Sequence, residues 1–328
     1  MAELLKAGLI GCGDYLRWEI DDLNSNTYLK VKYTFDLDHG KSRRIAGKIN
    51  ANPVDAVGEI FDDPEVKVVM IFTPPWVRKD LFRKAVESGK HIITTKPFGS
   101  NLEDAEELYG MVKDRVNCAV YYGRTGNAHV EMIKKILDSG EIGHLALYKE
   151  DWLHHYPVWN DWATDPEKNG GPFMDAMIHN LNKARYLIGS QVKNIHYFSD
   201  NFAQSLKCRD TEFMKLDFEN GAAAYLFITW AADLEVFDPT GNDRVHYGIQ
   251  QLITSEGWYI TEEEQDGIPV IRAVKERKVK TWEVGPLSHT KYDQFSINLQ
   301  EGKPQAADAS DAITDMQIMD AAVKSLSY

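Results

Sequence analysis

A short stretch near the start of the chain combines a strand, a glycine turn, a helix, a second strand and an acid. The apolar residues Leu9 and Ile10 lead into a turn at Gly11 and Gly13, and a second apolar run ends at Asp36. This order is typical of a βαβ unit that binds a dinucleotide. Because the two strands are joined through a crossover helix, the pattern predicts a parallel sheet.

Each part of this stretch has a predicted role in holding a cofactor. Gly11 permits the sharp turn, and Gly13 lets a pyrophosphate approach the backbone because glycine has no Cβ. Asp14 and Tyr15 follow the turn and are predicted cofactor contacts, where the amides of the next helix point at the phosphate. Leu16 departs from the pattern, since Gly or Ala at that position usually lets helix and strand pack closely.

The acid at the end of the second strand indicates which dinucleotide is bound. Asp36 would accept hydrogen bonds from both ribose hydroxyls of the adenosine, which favours NAD. Arg43 and Arg44 are near enough in sequence to reach the 2′-phosphate of NADP, but Asp36 would repel that group. The predicted cofactor is therefore NAD, with NADP less favoured. A strand-turn-helix unit without a ligand is the alternative interpretation of the glycines alone.

The composition indicates a globular protein and excludes several classes of partner. With 328 residues, 43% hydrophobic and 27% charged, the chain is long enough for two domains. A net charge of -13 argues against nucleic acid and anionic membrane, and no apolar run approaches the roughly 18 residues of a membrane span. Cys12, Cys118 and Cys208 lack metal-ligand spacing, so we expect no metal and a cytoplasmic chain with reduced thiols.

Strands and helices alternate through residues 1–122, which predicts a doubly wound, parallel α/β Rossmann domain. The run at 66–72 is almost entirely apolar, as expected of a central strand covered on both faces, and further strands are predicted at 91–95 and 117–122. Ligands in such sheets bind beyond the carboxyl ends of the strands. The predicted cofactor residues at those ends are Gly11, Gly13, Asp36, Thr73, Pro74 and Lys96.

Residues 123–328 change character, which predicts a second, α+β domain for substrate binding and oligomerisation. Few helices separate its β-rich segments, so a mainly antiparallel sheet is expected. The predicted strands are 144–153, 192–199, 211–219, 222–231, 245–255 and 257–261. The boundary at 122 rests on this change of pattern alone.

One predicted helix in this second part, at 175–188, has two contrasting sides. At 100° per residue, an apolar stripe contains Met177, Leu181, Ala184 and Ile188. The opposite stripe contains Asp175, His179, Asn182 and Tyr186. That stripe is either a solvated polar face or the site of an acid/base histidine. A metal site at Asp175 and His179 is not favoured, because no further ligands stand at suitable spacing.

Four motifs, taken in order, resemble the glucose-fructose oxidoreductase, inositol dehydrogenase and MocA family of NAD(P)-dependent enzymes. They are the Gly11/Gly13 loop, Thr73-Pro74 followed by a helix and Gly89-Lys90-His91, Thr95-Lys96-Pro97, and Gly170-Gly171 with Asp175 and His179. The resemblance covers essentially the whole chain. It implies a Rossmann domain, a C-terminal domain with a large open antiparallel sheet, nicotinamide between them, and a homodimer or homotetramer.

The resemblance also implies the catalytic roles. Lys96 matches the lysine of the family's Glu-Lys-Pro motif, and Asp175 and His179 match its Asp-x-x-x-His motif. His179 would accept the substrate hydroxyl proton while hydride passes to nicotinamide. Lys96 would hydrogen-bond the same oxygen, and Asp175 would orient substrate and Lys96.

Departures from the family pattern indicate a divergent subgroup. Thr95 replaces the usual glutamate, Pro75 and Arg78 stand where Asn and His are usual, and Asn182 replaces a second acid. Arg78 is expected to be either a surface arginine or a ligand for an acidic group of the substrate.

Aromatic and polar side chains between 152 and 162 favour a sugar ring as substrate, although they suit packing under a loop equally well. The predicted substrate contacts are Lys96, Tyr122, Arg124, His155, Trp162, Asp175 and His179. The predicted function is oxidation or reduction of a secondary alcohol or hemiacetal carbon of a sugar, inositol or related polyol. The alternatives are a glycoside hydrolase that uses NAD transiently and a non-catalytic regulatory protein that binds the cofactor.

Overall fold

The chain forms two compact units. The computed structural model describes residues 2–154, 161–168, 170–232 and 247–326. The first unit comprises Met1–Gly126 and Leu287–Met316, and the second comprises Asn127–Pro286 and Gln317–Tyr328. The division into a nucleotide-binding segment 1–122 and a substrate segment 123–328 stays a prediction about function.

The first unit is built on a six-stranded sheet in which every pair is parallel. Its strands are β1 (Leu5–Ile10), β2 (Leu29–Phe35), β3 (Asn52–Pro53), β4 (Val66–Ile71), β5 (His91–Thr95) and β6 (Cys118–Tyr121). The spatial order β3-β2-β1-β4-β5-β6 means that the chain winds outward from β1 in both directions. The predicted doubly wound Rossmann fold is confirmed.

Five helices connect these strands, and a sixth joins them from later in the chain. They are α1 (Ile20–Ser25), α2 (His39–Ile49), α3 (Gly58–Asp62), α4 (Lys79–Glu87), α5 (Leu102–Val112) and α8 (Lys291–Glu301). Asp38 starts α2 by accepting a hydrogen bond from the Gly40 amide at 2.9 Å. Tyr292 and Phe295 of α8 are buried in the core beneath β1, a contribution that the sequence pattern did not predict.

The second unit is built on an eight-stranded sheet. Its strands are β7 (Leu145–Leu153), β8 (Val192–Asp200), β9 (Thr211–Phe218), β10 (Ala223–Thr229), β11 (Tyr247–Thr254), β12 (Tyr259–Gln265), β13 (Ile268–Lys275) and β14 (Lys278–Glu283). Their order is β14-β13-β12-β11-β7-β10-β9-β8, and all pairs are antiparallel except β7 with β10. The mainly antiparallel sheet is confirmed, whereas β13 and β14 were not predicted.

The two faces of this sheet differ. Helices α6 (Ala128–Asp138) and α7 (Ile178–Ile188) lie on one face, where alternate strand residues such as Met214 are completely buried. On the other face Phe198 and Ile249 are 65% and 60% exposed. The last helix is α9 (Ala309–Ser325). Within the described residues, no helix combines the length and the apolar character needed to cross a membrane.

Candidate active site

The glycine turn after β1 has the backbone geometry that a dinucleotide site needs. Gly11 adopts φ 94°, and a Cβ there would lie 2.8 Å from the carbonyl carbon and oxygen of Phe72. Glycine is therefore required at this position. A Cβ at Gly13 would meet no atom within 4 Å, so the backbone at Gly13 faces open space that a phosphate can enter.

The segment after the turn differs from the expected helix. Residues Asp14–Trp18 form a 3₁₀-helix, and α1 begins only at Ile20. Leu16 is completely buried in the core of the unit. Because a leucine prevents the close helix-strand contact that Gly or Ala permits, the chain passes through a narrower 3₁₀ turn first. The long helix dipole expected at the phosphate is thus reduced to a short one.

The two residues predicted to contact the cofactor after the turn have different environments. The Asp14 side chain is exposed, whereas the Tyr15 ring lies edge-on to Phe72 with 5.0 Å between ring centroids. Burial and the neighbouring Glu19 carboxylate raise the pKa of the Tyr15 phenol well above its usual value. Tyr15 therefore keeps its proton and can donate a hydrogen bond.

Asp36 follows β2, and two backbone amides fix its carboxylate beside the glycine turn. Oδ2 accepts from the Cys12 amide at 2.7 Å, and Oδ1 accepts from the Asp38 amide at 2.8 Å. Each oxygen keeps a lone pair with which it can accept from a ribose hydroxyl. Burial and Asp36 raise the pKa of the Cys12 thiol to about 12, so that group stays neutral.

Thr73, Pro74 and Lys96 follow the adjacent strands β4 and β5. The Thr73 hydroxyl is buried and has no hydrogen-bond partner in the part of the chain that the structure describes. Lys96 is half-buried, and its amide donates to the carbonyl of Tyr121 at 3.2 Å. The Lys96–Pro97 peptide bond is cis. The fold thus places the predicted residues Thr73 and Lys96 at the same edge of one sheet.

Arg78 contradicts both expectations stated for it, because it is neither on the surface nor directed at a ligand. It is only 2% exposed, and its guanidinium donates to backbone carbonyls. The surface interpretation failed because the side chain folds under the ends of β4 and β5, where carbonyls without ladder partners need donors. Burial lowers the pKa of Arg78 to about 9, which still leaves it charged at neutral pH.

Tyr122 and Arg124 lie just after β6 and are both buried. The guanidinium of Arg124 forms an ion pair with Asp311 at 2.9 Å, and Asp311 belongs to the same unit. Arg124 therefore ties the start of α9 to the end of β6. Their predicted contacts with substrate stay predictions.

In the second unit, Asp175 and His179 occupy a helical segment that begins with a π-helical turn. Residues Phe173–Met177 form this turn, and α7 follows at Ile178. Asp175 and His179 are both half-buried. The predicted apolar stripe is buried as expected, with the residues Met177, Leu181, Ala184 and Ile188. Asn182 is a correction, because it is completely buried rather than on a solvated face. The reason is that α7 packs against α6 as well as against the sheet.

A buried carboxylate holds the start of this segment. Glu212 of β9 accepts hydrogen bonds from the amide of Phe173 and from the hydroxyl of Tyr197. Burial raises the pKa of Glu212 to about 7, against the lowering effect of its two donors. Burial also raises the pKa of the nearby Cys208 thiol to about 12. The Glu212 carboxylate adds to this rise, and Asp175 contributes least. Glu212 therefore fixes the backbone two residues before Asp175.

A second buried carboxylate holds the helix one turn after His179. Glu150 of β7 forms an ion pair with Lys183 at 3.0 Å. The same carboxylate accepts hydrogen bonds from the Tyr148 hydroxyl and from the Trp152 indole, the latter at 3.1 Å. Since Glu212 and Glu150 bind on either side of them, Asp175 and His179 have a fixed position on the sheet.

Aromatic side chains extend along β7 beyond Glu150. The rings of Trp152 and His154 are stacked with 5.8 Å between centroids, and the Trp230 indole donates to His154 Nδ1 at 3.0 Å. Trp162, a predicted substrate contact, is half-buried on a 3₁₀-helix at Asp161–Thr164. His155, another predicted substrate contact, lies outside the described residues.

No group of three or more His, Cys, Asp or Glu side chains within the described ranges can hold a metal ion. Sequence reasoning missed Glu150 and Glu212 and assigned Arg78 the wrong environment. The two acids could have been recognised from strand alternation: Glu150 stands between Tyr148 and Trp152 on the inward-facing side of β7, and Glu212 begins the inward-facing row that continues with the apolar Met214, Leu216 and Phe218.

Taken together, the parallel sheet, the glycine turn and Asp36 define a dinucleotide-binding protein. Residues 5–124 match the profile described as "Oxidoreductase family, NAD-binding Rossmann fold", and residues 130–241 match the "GFO/IDH/MocA C-terminal domain". The chain belongs to the GFO/IDH/MocA family of NAD-binding oxidoreductases.

Named relatives share part of the sequence, and a solved structure shares the fold. The uncharacterized oxidoreductase YrbE of Bacillus subtilis is 28% identical over 236 residues, 69% of this chain and 67% of that one. The scyllo-inositol 2-dehydrogenase (NAD(+)) of the same organism is 29% identical over 50% of this chain and 49% of its own. Levoglucosan dehydrogenase in complex with NADH and levoglucosan has a TM-score of 0.80 at 20% identity, covering 98% of this chain and 97% of its own.

The residues of the first unit fit the NAD that the family binds. A dinucleotide would complete three features of this chain: open space at Gly13, the Asp36 carboxylate, and the Thr73 hydroxyl, which has no hydrogen-bond partner among the described residues.

Proposed function

We propose that this protein is an NAD-dependent dehydrogenase acting on a secondary alcohol or hemiacetal carbon of a sugar, inositol or related polyol. One observation carries the proposal. An acid and a histidine, Asp175 and His179, lie on a segment fixed by two buried carboxylates, in a chain of an NAD-binding oxidoreductase family. Firm placement of a polar pair is what proton transfer requires and what a solvated helix face does not need.

In this proposal three side chains act on the substrate. His179 accepts the proton of the substrate hydroxyl, because imidazole titrates near neutral pH. Lys96 donates a hydrogen bond to the same oxygen and stabilises its developing negative charge. Asp175 accepts from a second hydroxyl and so orients the ring. When bound, NAD supplies the hydride acceptor.

The first unit supplies the proposed cofactor contacts. Gly11 and Gly13 shape the turn for the pyrophosphate, Asp14 and Tyr15 follow it, and Asp36 binds the adenosine ribose. Thr73, Pro74 and Lys96 lie just after β4 and β5 and contact the nicotinamide side of the dinucleotide. Asp36 supports NAD over NADP because its fixed carboxylate leaves no room for a second anion.

The substrate class rests on relatives and on aromatic residues. The relatives are named for a cyclic polyol and an anhydrosugar, scyllo-inositol and levoglucosan. Trp152, stacked on His154, offers an apolar face beside hydrogen-bonding groups, as sugar rings require. We place Trp162, His155, Tyr122 and Arg124 among the substrate contacts on the strength of the sequence alone.

A panel of carbohydrates tests this proposal. Purified protein is incubated with NAD and, separately, myo-inositol, scyllo-inositol, levoglucosan and D-glucose, and NADH is followed by absorbance. We expect NADH from at least one compound and a rate with NADP at least about tenfold lower. Release of p-nitrophenol from aryl glycosides without net NADH would identify the glycosidase alternative, and no reaction with any compound would favour a regulatory protein.

We further propose that the chain forms a homodimer or homotetramer through the exposed face of the eight-stranded sheet. One row across adjacent strands carries Phe198, Phe213, Phe227, Asp151 and Ile249. They surround or flank a shallow depression of about 360 Å³. An apolar patch of this kind marks an association surface. A second copy is the expected occupant, because paired charges of both signs on the face, such as Lys215 with Asp217, complement themselves about a two-fold axis.

Light scattering after gel filtration tests the assembly. Ile249→Glu should convert the wild-type dimer or tetramer to monomer, because it buries a charge in the association surface. Trp18→Glu, at an apolar residue of the first unit that is 63% exposed, is the control and should leave the mass unchanged. A wild-type protein that is monomeric at micromolar concentration overturns this proposal.

A further inference from the structure

We infer that Arg78 is a positioning residue that holds the backbone of Lys96 and Thr73 in place for the proposed reaction. The inference rests on the proposed function, because it explains how Lys96 is presented. Arg78 itself touches neither substrate nor cofactor in this account. Its guanidinium reaches backbone carbonyls of the two loops in which those residues stand.

Nη1 of the Arg78 guanidinium forms hydrogen bonds with the loop that carries Lys96. Nη1 donates to the carbonyl of Thr95 at 2.8 Å, to that of Pro97, and at 3.4 Å to that of Phe98. The first two carbonyls bracket Lys96 in the chain. Because the Lys96 amide also donates to β6, the backbone of Lys96 is tied on both sides of its Cα atom.

The remaining nitrogens of the guanidinium form hydrogen bonds with the loop after β4. Nε and Nη2 both donate to the Thr73 carbonyl, at 3.0 and 2.9 Å. The ladder between β4 and β5 ends at the pair Ile71 and Thr94, so it does not reach either loop. Beyond the last ladder pair, the rigid, planar guanidinium of Arg78 therefore joins the two strand ends by hydrogen bonds.

The backbone of Arg78 is itself fixed. The backbone carbonyl of Arg78 accepts a hydrogen bond from the Phe82 amide at 2.9 Å, in the first turn of α4. In the part of the chain that the structure describes, no carboxylate lies within ion-pair distance of the guanidinium, and the carbonyls alone compensate the buried charge. Burial of a cation without a counter-ion is costly, so the arrangement requires all of these acceptors together.

Arginine is suited to this task in a way that its substitutes are not. It offers five N–H donors in a fixed fork, whereas imidazole offers at most two and an ammonium group three from a single point. Histidine, the residue usual in the family at this position, cannot bridge both loops by the same bonds. The same chain has Thr95 in place of the glutamate that usually precedes the lysine, so no acid at that position can hold Lys96.

A double-mutant cycle between Arg78 and Lys96 tests the inference. Wild type, Arg78→Lys, Lys96→Ala and the double variant are compared in kcat with the panel carbohydrate that wild type oxidises fastest. We expect Arg78→Lys to lower kcat by about tenfold to a hundredfold in the wild-type background and by less than about twofold in Lys96→Ala. Arg83→Lys, on the exposed side of α4, is the matched control and should leave kcat unchanged.

Hydrogen exchange supplies a readout besides activity. Arg78→Lys should speed amide exchange at least about tenfold in residues 72–76 and 95–100, and leave the rest of the sheet as in wild type. NADH fluorescence confirms that the variant is folded and counts its binding sites. If Arg78→Lys does not fold, Arg78→His, with the residue usual in the family, takes its place.

The outcomes separate the inference from the proposed function. Full turnover by Lys96→Ala refutes the role proposed for Lys96. Loss of turnover in Lys96→Ala together with wild-type kcat in folded Arg78→Lys refutes the positioning role alone, as does an equal effect of Arg78→Lys in both backgrounds. If no panel compound is oxidised, unchanged exchange in both segments is sufficient to overturn the inference.

Discussion

The strand-end loops of the first unit and the helical segment of the second hold their functional residues by opposite means. In the first unit a buried cation, Arg78, donates to backbone carbonyls. In the second, two buried carboxylates act as acceptors: Glu212 accepts from the Phe173 amide, and Glu150 pairs with Lys183. Arg78 and Glu212 hold backbone groups, and Glu150 holds the side chain of Lys183. The difference shows that a helix start, with its unpaired amides, calls for an acceptor, whereas a strand end, with its unpaired carbonyls, calls for a donor.

The largest effect is expected when Glu212 of the second unit is replaced. Glu212→Ala leaves the Phe173 amide and the Tyr197 hydroxyl buried without an acceptor, which should cost about 3 kcal/mol or more in the free energy of unfolding. In protein that remains folded, kcat should fall by about tenfold or more, with little change in NADH affinity. Urea unfolding and steady-state kinetics measure both.

Two variants calibrate that result. Glu219→Ala, exposed just after the same strand, should change neither quantity. Tyr197→Phe keeps the bond to the Phe173 amide and should reduce kcat less than Glu212→Ala does. An unchanged kcat in folded Glu212→Ala would mean that the carboxylate serves stability alone.

A smaller effect is expected from the acid of the first unit. Asp36→Asn keeps an acceptor for the Cys12 amide but removes the negative charge. We expect NAD affinity to fall by about 1 to 2 kcal/mol and NADP affinity to rise, because the 2′-phosphate is no longer repelled. Fluorescence titration with both reduced cofactors measures the change. Asp55→Asn, at a residue whose side chain is 93% exposed in the same unit, is the control, and a wild-type preference for NADP would contradict the role of Asp36.

Glu212 should also give the second unit a pH-dependent stability, which changes gradually over more than two pH units. The pKa of Glu212 is raised by burial to about 7, so the folded state binds its proton more tightly than the unfolded state does. Its contribution to stability is complete below pH 4.5 and is lost as pH rises to about 7, by roughly 3 kcal/mol at most. Tyr197 and Cys208 face Glu212 and keep their protons over this range.

Glu212→Gln removes this titration. The unfolding free energy of the wild type relative to Glu212→Gln should therefore fall between pH 4.5 and 7. Parallel curves for the two proteins would show that the carboxyl does not titrate in this interval. Arg78 does not titrate between pH 4.5 and 7, because its pKa of about 9 keeps it charged throughout this interval.

Much of the first unit could be predicted because its geometry depends on neighbours in sequence. The glycine turn and Asp36 stand within one βαβ unit, and the apolar run of β4 identifies a central strand by itself. The prediction failed at Leu16, where one side chain replaces a helix start by a 3₁₀ turn. It also failed at Arg78, whose burial depends on two loops that only the folded sheet brings together.

The second unit could be predicted less far, for the same physical reason. Phe173 and Glu212 are 39 residues apart in the chain, and Lys183 and Glu150 are 33 apart, so no local pattern connects them. The edge strand β14 carries exposed charges at Lys278 and Glu283, and its neighbour β13 contains Pro269, which hides the strand character of both. The apolar stripe of α7 was predictable from its period, but the burial of Asn182 depends on α6.

We have assigned His179 the role of accepting the substrate proton, while other residues bind the nucleotide. The most direct test measures kcat and NADH affinity together in His179→Ala, with His196→Ala on the exposed face of the sheet as control. We expect His179→Ala to lower kcat by about 10² to 10⁴ and to leave the NADH dissociation constant within about twofold of wild type. Wild-type turnover in His179→Ala would contradict this assignment.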